Sequence, residues 1–293
     1  MMRRLISRLR PYWLIAAFVV IAAMESRRRL SHPALEPLPP LGLSALLLLA
    51  AILFMVNPKT PVHEPYTMAA PVRGRWAALN SPGQKLPSHG GRFLGQYAAV
   101  DILQPATPET PPKVRIAWRS SLPGEYPCFG EPVYSMAPGV VASTWSGSTD
   151  HRARNTWQAL LYMMTLEAVV RSLAGTRMIA GNHVIIRHDD GTAAFYAHLR
   201  KGSLSVEVGQ RVVAGDPLGE VGNTGNSSEP HLHVHLMDRV NPGAAAGLKM
   251  TWTNITRHGQ IEASLDEIAK EPAVNAIPSM PRNGEIFEVE PLA

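Results

Sequence analysis

Three histidines alternate with apolar residues in the run His231-Leu232-His233-Val234-His235. On a strand, the period of two puts all three imidazoles on one face, and a face with three nitrogen ligands is a candidate metal site. Alternating polar and apolar residues also describe an ordinary half-buried strand, so the triplet alone does not decide between a ligand set and a structural strand.

The residues before it add organisation. His188-Asp189-Asp190-Gly191 is a turn signal between an apolar strand at 184–187 and a second strand at 193–199. That second strand ends in Tyr-Ala-His-Leu, with His198 at its tip. Gly209, Gly215, Gly219, Gly222 and Gly225 then punctuate short Val/Leu-rich runs, the pattern of a compact antiparallel β domain. The single cysteine, Cys128, excludes an intrachain disulfide and a Cys-rich zinc knuckle. Any metal site must therefore be built from histidines and carboxylates.

Over residues 181–238 the order GNHVIIRH, YAHL, V-x-V-G-Q-x-V-x-x-G-x-x-x-G, GNTGNSS and PHLHVHLMD resembles the lysostaphin-type zinc endopeptidases, the M23 peptidases, which cut bacterial cell-wall peptides. The resemblance implies a mainly β chain: an antiparallel β-sheet peptidase domain of the duplicated hybrid motif type. It implies Zn2+ as cofactor, with His233 as a zinc ligand and His231 and His198 as the catalytic histidines. It also implies an upstream Asp and His as the remaining ligands. Asp101, in AAVDIL, stands where the Asp belongs, but the residue four before it is Tyr97 where the family carries a histidine. A neutral phenol with a pKa of ~10 is a poor zinc ligand. The nearest upstream histidine is His89, and three glycines in the intervening residues let its loop fold back beside Asp101. His89 is accordingly expected as the third ligand, with Tyr97 and His235 as rivals.

The implied activity is zinc-dependent hydrolysis of peptide bonds in peptidoglycan, with peptidoglycan peptides as partners. Degenerate relatives that lose ligands and instead bind cell wall or regulate cell-wall amidases supply the alternative, a non-catalytic module. A purely structural, membrane-tethered β domain is a third reading, and it leaves the spacing of His198, His231 and His233 without a reason.

The surrounding elements must position these groups. Residues 73–79 and 97–103 read as strands flanking the loop that carries His89, and 132–144 as a further strand region. From 155 to 173, Trp157, Leu160, Leu161, Met164, Ala168 and Leu173 recur at helical spacing. This is expected as a helical insertion at about 150–176, either covering the sheet or resting on a membrane surface. A closing strand is expected within 248–255, a short helix near 261–269, and a tail without assigned role at 261–293. The peptidase-like domain is thus placed at 64–260. The remaining histidines, His32, His63, His151, His183, His188 and His258, lack a partner pattern and are expected as exposed or satisfied polar groups.

Charge is distributed unevenly. The formal net charge of +5 arises in the first sixty residues, where eight Lys/Arg face two Asp/Glu. The rest is close to neutral, which argues against nucleic-acid binding. Residues 1–63 hold two apolar runs, 12–24 and 38–56, and read as a membrane-anchor region followed by a proline-rich linker. Arg3, Arg4, Arg8 and Arg10 precede the first run, and Arg27, Arg28 and Arg29 follow it. The positive-inside tendency favours a single span at 38–56, all seven arginines on the cytoplasmic side and the peptidase domain outside a bacterial cell membrane.

Overall fold

The computed structural model describes residues 1–30 and 39–292; His32 and Leu38, the start of the second apolar run, lie outside the described residues. Three helices come first: α1 (Met2–Arg8), α2 (Arg10–Leu30) and α3 (Pro40–Met55). Arg10 donates to the carbonyls of Phe54 (3.0 Å) and Val56 (2.9 Å), groups that the end of α3 leaves without partners. The start of α2 therefore lies beside the end of α3, and the two helices pack antiparallel. Arg4 pairs with Asp238 at 2.5 Å, seating α1 on the β domain.

Helix α2 runs unbroken for 21 residues, ~31 Å, so it holds Arg10 and the Arg27–Arg29 cluster at opposite ends. Among the described residues no single helix is long and apolar enough to cross a membrane; α1 and the following helix to Arg29, bent by 63°, pass together by length and composition.

The β domain begins with β1 (Tyr66–Met68), β2 (Gly74–Leu79), β3 (Val100–Leu103), β4 (Pro132–Tyr134) and β5 (Gly139–Trp145). A helical excursion follows: α4 (Trp157–Tyr162), a π-helical turn (Met163–Glu167), α5 (Ala168–Ala174) and α6 (Thr176–Ala180). The Thr156 side chain caps its start, and Gly175, at φ 86°, ends α5. The chain then returns through β6 (Asn182–His188), β7 (Ala193–Leu199), β8 (Arg211–Val212), β9 (Pro217–Glu220) and β10 (Leu232–Met237). It closes with β11 (Gly247–Leu248), β12 (Met250–Trp252), β13 (Ile255–Ile261) and β14 (Glu285–Val289).

The main sheet has the order β13-β14-β2-β3-β10-β7-β6-β5-β8, with β11 also on β10. All its pairings are antiparallel. One face builds the core. Val100 and Ile102 of β3, Leu232, Val234 and Leu236 of β10, Tyr196 of β7, and Val184 and Ile186 of β6 are buried together with Trp76 and Phe287. Each such side chain contributes about 1.5–3 kcal/mol by leaving water. The opposite face of the same strands carries Asp101, His233, His235, Ala197 and Phe195, and the site is built there.

The 261–293 stretch corrects the expectation of a tail. Residues 263–268 form a 3-10 turn, and β14 lies inside the sheet between β13 and β2 with Phe287 wholly buried. Its run, EIFEV, has too few apolar residues to stand out between proline-rich flanks. The strand expected at 97–103 forms only from Val100, because the turn at Leu94 and Gly95 holds the preceding residues out of the ladder.

Candidate metal and catalytic centre

Register brings the first groups together. Asp101 of β3 and Ala197 of β7 both pair with His233 of β10, from its two sides. The carboxylate therefore reaches the imidazole across one ladder, with Asp101 Oδ1 2.8 Å from His233 Nδ1. On the other ladder the small Ala197 leaves room above the strand.

His89 arrives from the loop between β2 and β3. Ser88 N donates to the Tyr97 carbonyl at 3.1 Å and Ser88 Oγ to the Ala99 carbonyl at 2.6 Å, so the loop is folded back onto the chain that enters β3. His89 Nε2 then lies 3.1 Å from Asp101 Oδ2. One ligand atom from each of His89, Asp101 and His233 falls within 4.8 Å of the others. Tyr97 packs against the core instead, with the Arg92 guanidinium 4.5 Å over its ring. His235 sits behind His233, 3.0 Å from its Nε2.

Hydrogen bonding fixes how these rings face. Because a carbonyl only accepts, His235 Nε2–H must point to the Leu94 carbonyl (3.2 Å), which leaves Nδ1 to accept from His233 Nε2–H. Neutral His233 then has its Nδ1 lone pair aimed at Asp101. The Ser88 hydroxyl, having donated to Ala99, accepts from His89 Nδ1–H at 3.3 Å, and the His89 Nε2 lone pair faces Asp101 as well. Burial raises the Asp101 carboxyl, but the surrounding imidazoles of His89, His231 and His233 outweigh this and hold it well below the usual carboxylate range. Burial pushes His233 down, and His235 further, so both are neutral at pH 7. Acceptors that meet this closely need a cation among them, and two imidazoles with one carboxylate are a zinc-type donor set. Asn80 steadies the carboxylate by donating to Oδ2 at 2.8 Å.

His198 departs from simple alternation. Tyr196 points into the core, so a regular strand would send His198 there too. Instead two residues of β7, Ala197 and His198, oppose the single His183 of β6, forming a bulge. His198 takes φ 64° there, uncommon for a residue with a side chain. The imidazole thereby turns to the site face while Leu199 returns to the core. The β9–β10 loop completes the arrangement. Gly181 and Gly225 approach so closely that a Cβ on Gly225 would stand 2.3 Å from Gly181 N, and this contact sets the Thr224 carbonyl 2.8 Å from His198 Nδ1. His231 Nδ1–H donates likewise to the Glu229 carbonyl at 2.7 Å.

Both rings thus present Nε2 as the free nitrogen, and His231 Nε2 lies 3.7 Å from Asp101 Oδ1. Burial, reinforced by His231 and His233, holds His198 well below the ordinary histidine range, so it is an uncharged base at pH 7. The groups line a cavity of about 280 Å³ whose far wall includes Met163 and Ile179 of the helical excursion. Sequence reasoning missed Asn80, the two carbonyl anchors and the support of His233 by His235. Only Ser88, adjacent to His89, offered a local signal. Of the other histidines, His183 is buried beside the site and donates from Nδ1–H to the Gly181 carbonyl at 2.8 Å, and His188 is buried against the Pro138 carbonyl.

Residues 165–244 match the family model for Peptidase family M23. The chain is 43% identical over 63 residues to the peptidoglycan DD-endopeptidase ShyA of Vibrio cholerae, covering 22% of this chain and 14% of that protein. It is 45% identical over 56 residues to the cell division protein DipM of Caulobacter vibrioides, covering 19% of this chain and 9% of that protein. Among solved structures, the catalytic domain of lysostaphin from Staphylococcus simulans aligns over 50% of this chain and 88% of its own, at 19% identity and a TM-score of 0.29. The chain thus spans only a small part of the length of the curated relatives it matches.

Proposed function

The chain carries a domain of peptidase family M23, and from that premise we propose that it is a membrane-anchored, zinc-dependent endopeptidase acting on peptide bonds of bacterial cell-wall peptidoglycan. The observation that carries this reading is the convergence of His89, Asp101 and His233, with ligand atoms within 4.8 Å, beside two histidines whose Nε2 atoms are free.

In this reading His89 Nε2, an Asp101 oxygen and His233 Nδ1 hold the ion. Zinc in such a site supplies a Lewis acid that polarises a carbonyl and makes water more acidic. The remaining steps belong to side chains. With Nδ1–H bound to a backbone carbonyl, His198 and His231 each hold a basic Nε2 toward the cavity, placed to take a proton from an attacking water. Once protonated, the same nitrogen donates a hydrogen bond to the developing oxyanion or passes its proton to the departing amine. Asp101 stays an anion throughout. Relatives named as peptidoglycan DD-endopeptidases support this substrate class, and acting on such a substrate requires a domain outside the cytoplasm. A non-catalytic role would leave these five convergent groups without a task.

The test measures metal content and hydrolysis of cross-linked peptidoglycan together. The native chain is expected to hold close to one zinc and release peptides, and chelation is expected to lower both activity and melting temperature. His198→Ala and His231→Ala each lose about 10²–10⁴-fold in rate with zinc retained, whereas His233→Ala loses the zinc. A native chain without bound zinc at neutral pH, or equal zinc loss in the His231 and His233 variants, contradicts the assignment.

A further inference from the structure

The helical excursion is amphipathic in the reverse sense. From Trp157 to Ala174 its only charged residues are Glu167 and Arg171, and both are turned inward, each only 8% exposed. Glu167 accepts from Arg154 at 2.7 Å and from Arg171 at 2.6 Å, and Arg171 also donates to the Met178 carbonyl. The outward surface is apolar instead. Trp157, Leu161 and Met164 lie at spacings of four and three, and Tyr162, Leu166 and Val170 at spacings of four, all exposed, with Met164 at 73%. A water-facing helix has the opposite pattern, so this face calls for an apolar surrounding.

Its neighbours identify which one. Helix α5 packs against α2, and Ser172 and Gly175 share a cavity with Arg10 and Phe54, where α2 begins and α3 ends. Helix α3 has no charged residue and buries only Leu43 and Ala50, leaving Leu46, Leu48, Leu49 and Ile52 exposed. The apolar face of the excursion is therefore continuous with the hairpin at its domain end, the level at which a hairpin enters a bilayer. We infer that the outer face of residues 157–174 lies in the headgroup–acyl boundary of the membrane, so that the peptidase domain rests on the bilayer and its cleft, walled by Met163 and Ile179, opens at the membrane surface. Trp157 and Tyr162 suit that boundary, where amphipathic rings collect. The inference rests on the reading that α2 and α3 enter the membrane, and the experiment separates the two.

Full-length Met164→Cys, Leu48→Cys and Val208→Cys chains carry an environment-sensitive fluorophore in vesicles of mixed zwitterionic and anionic lipids with brominated acyl chains. The native Cys128 is buried and its thiol is pushed up to about 12 by that burial, so it stays unlabelled. Val208 precedes β8, which pairs with Gly139 and Val140 at the end of β5 remote from the excursion, and serves as the dry-land control. Probes at Met164 and Leu48 are expected to lose about half or more of their emission to the bromines, with Val208 unaffected. Leu161→Cys, on the same stripe as Met164, repeats the reading should one variant fold poorly. Quenching at Leu48 with Met164 matching Val208 overturns the inference and spares the anchor. Quenching at neither overturns both. A blue-shifted but unquenched Met164 probe means that protein, such as a second copy of this chain, covers the face, and also overturns it.

Discussion

At the scale of single residues, the third ligand turns on where one lone pair is aimed. His89 is held by the Ser88 hydroxyl with Nε2 toward Asp101, while Tyr97 is held in the core and His235 supports His233 from behind. Zinc affinity, measured by chelator competition, is therefore expected to fall at least about 100-fold in His89→Ala and to stay unchanged in Tyr97→Phe. His235→Ala removes an outer partner and is expected to cost about 10–100-fold. An unchanged His89→Ala affinity removes it from the ligand set. The alternation of His231, His233 and His235 was legible because strand period alone places them on one face. His89 could be singled out only by elimination, since beyond the adjacent Ser88 the contacts that deliver it reach the Tyr97 and Ala99 carbonyls, which carry no side-chain signal. The bulge that turns His198 out of the core had no local sign at all, as YAHL reads as an uninterrupted strand.

At the scale of elements, strands buried on one face and carrying the site on the other were visible as alternating runs, whereas β14 was not, because its pairing with β2 joins residues more than two hundred positions apart. Its place in the sheet has an energetic consequence. Phe287→Ala is expected to cost about 3–5 kcal/mol in denaturant unfolding, where a dispensable tail would cost almost nothing. The helical excursion was legible by period, but its reversed polarity was not, since periodicity does not say which face meets protein. Its attachment is pH-dependent. Burial raises the Glu167 carboxyl, but the bonds from Arg154 and Arg171 outweigh this, and its pKa in the folded chain is lowered. A depressed carboxyl contributes stability that is complete above its unfolded value of ~4.3 and is lost as pH falls through the folded value. Amide protection across 157–174, corrected for the intrinsic pH dependence of exchange, is accordingly expected to be high at pH 7 and to fall only below about pH 4. Glu167→Gln, which leaves the buried Arg171 guanidinium and the half-buried Arg154 without their carboxylate, loosens the segment at neutral pH by about 3 kcal/mol. Equal protection at pH 3 and pH 7 would show that the ion cluster does not hold the excursion.

At the scale of the whole molecule, the structure ties α1 to the β domain. Arg4 is bonded to Asp238 and to the Ala244 carbonyl of the β domain, and Arg10 to the carbonyls at the end of α3. Arg4 is neutralised by a carboxylate, but at the far end of α2 Arg28 and Arg29 also pair with one, Glu25, so ion pairing does not distinguish the two clusters. If α2 and α3 enter the bilayer as a hairpin, the far cluster faces the cytoplasm, and Met1 and Glu64 share the outer side with the domain. That orientation keeps the proposed substrate within reach, and it sets Arg3, Arg4, Arg8 and Arg10 on the outer side, against the charge tendency. A reporter that works only after export, inserted after Glu64, is expected to be active, and an N-terminal epitope tag is expected to react with antibody on cells whose inner membrane is intact. A silent reporter would remove both the orientation and access to peptidoglycan. An active reporter with a tag hidden until the inner membrane is broken would mean that α1 leaves Asp238 in the cell and that only the second apolar run crosses.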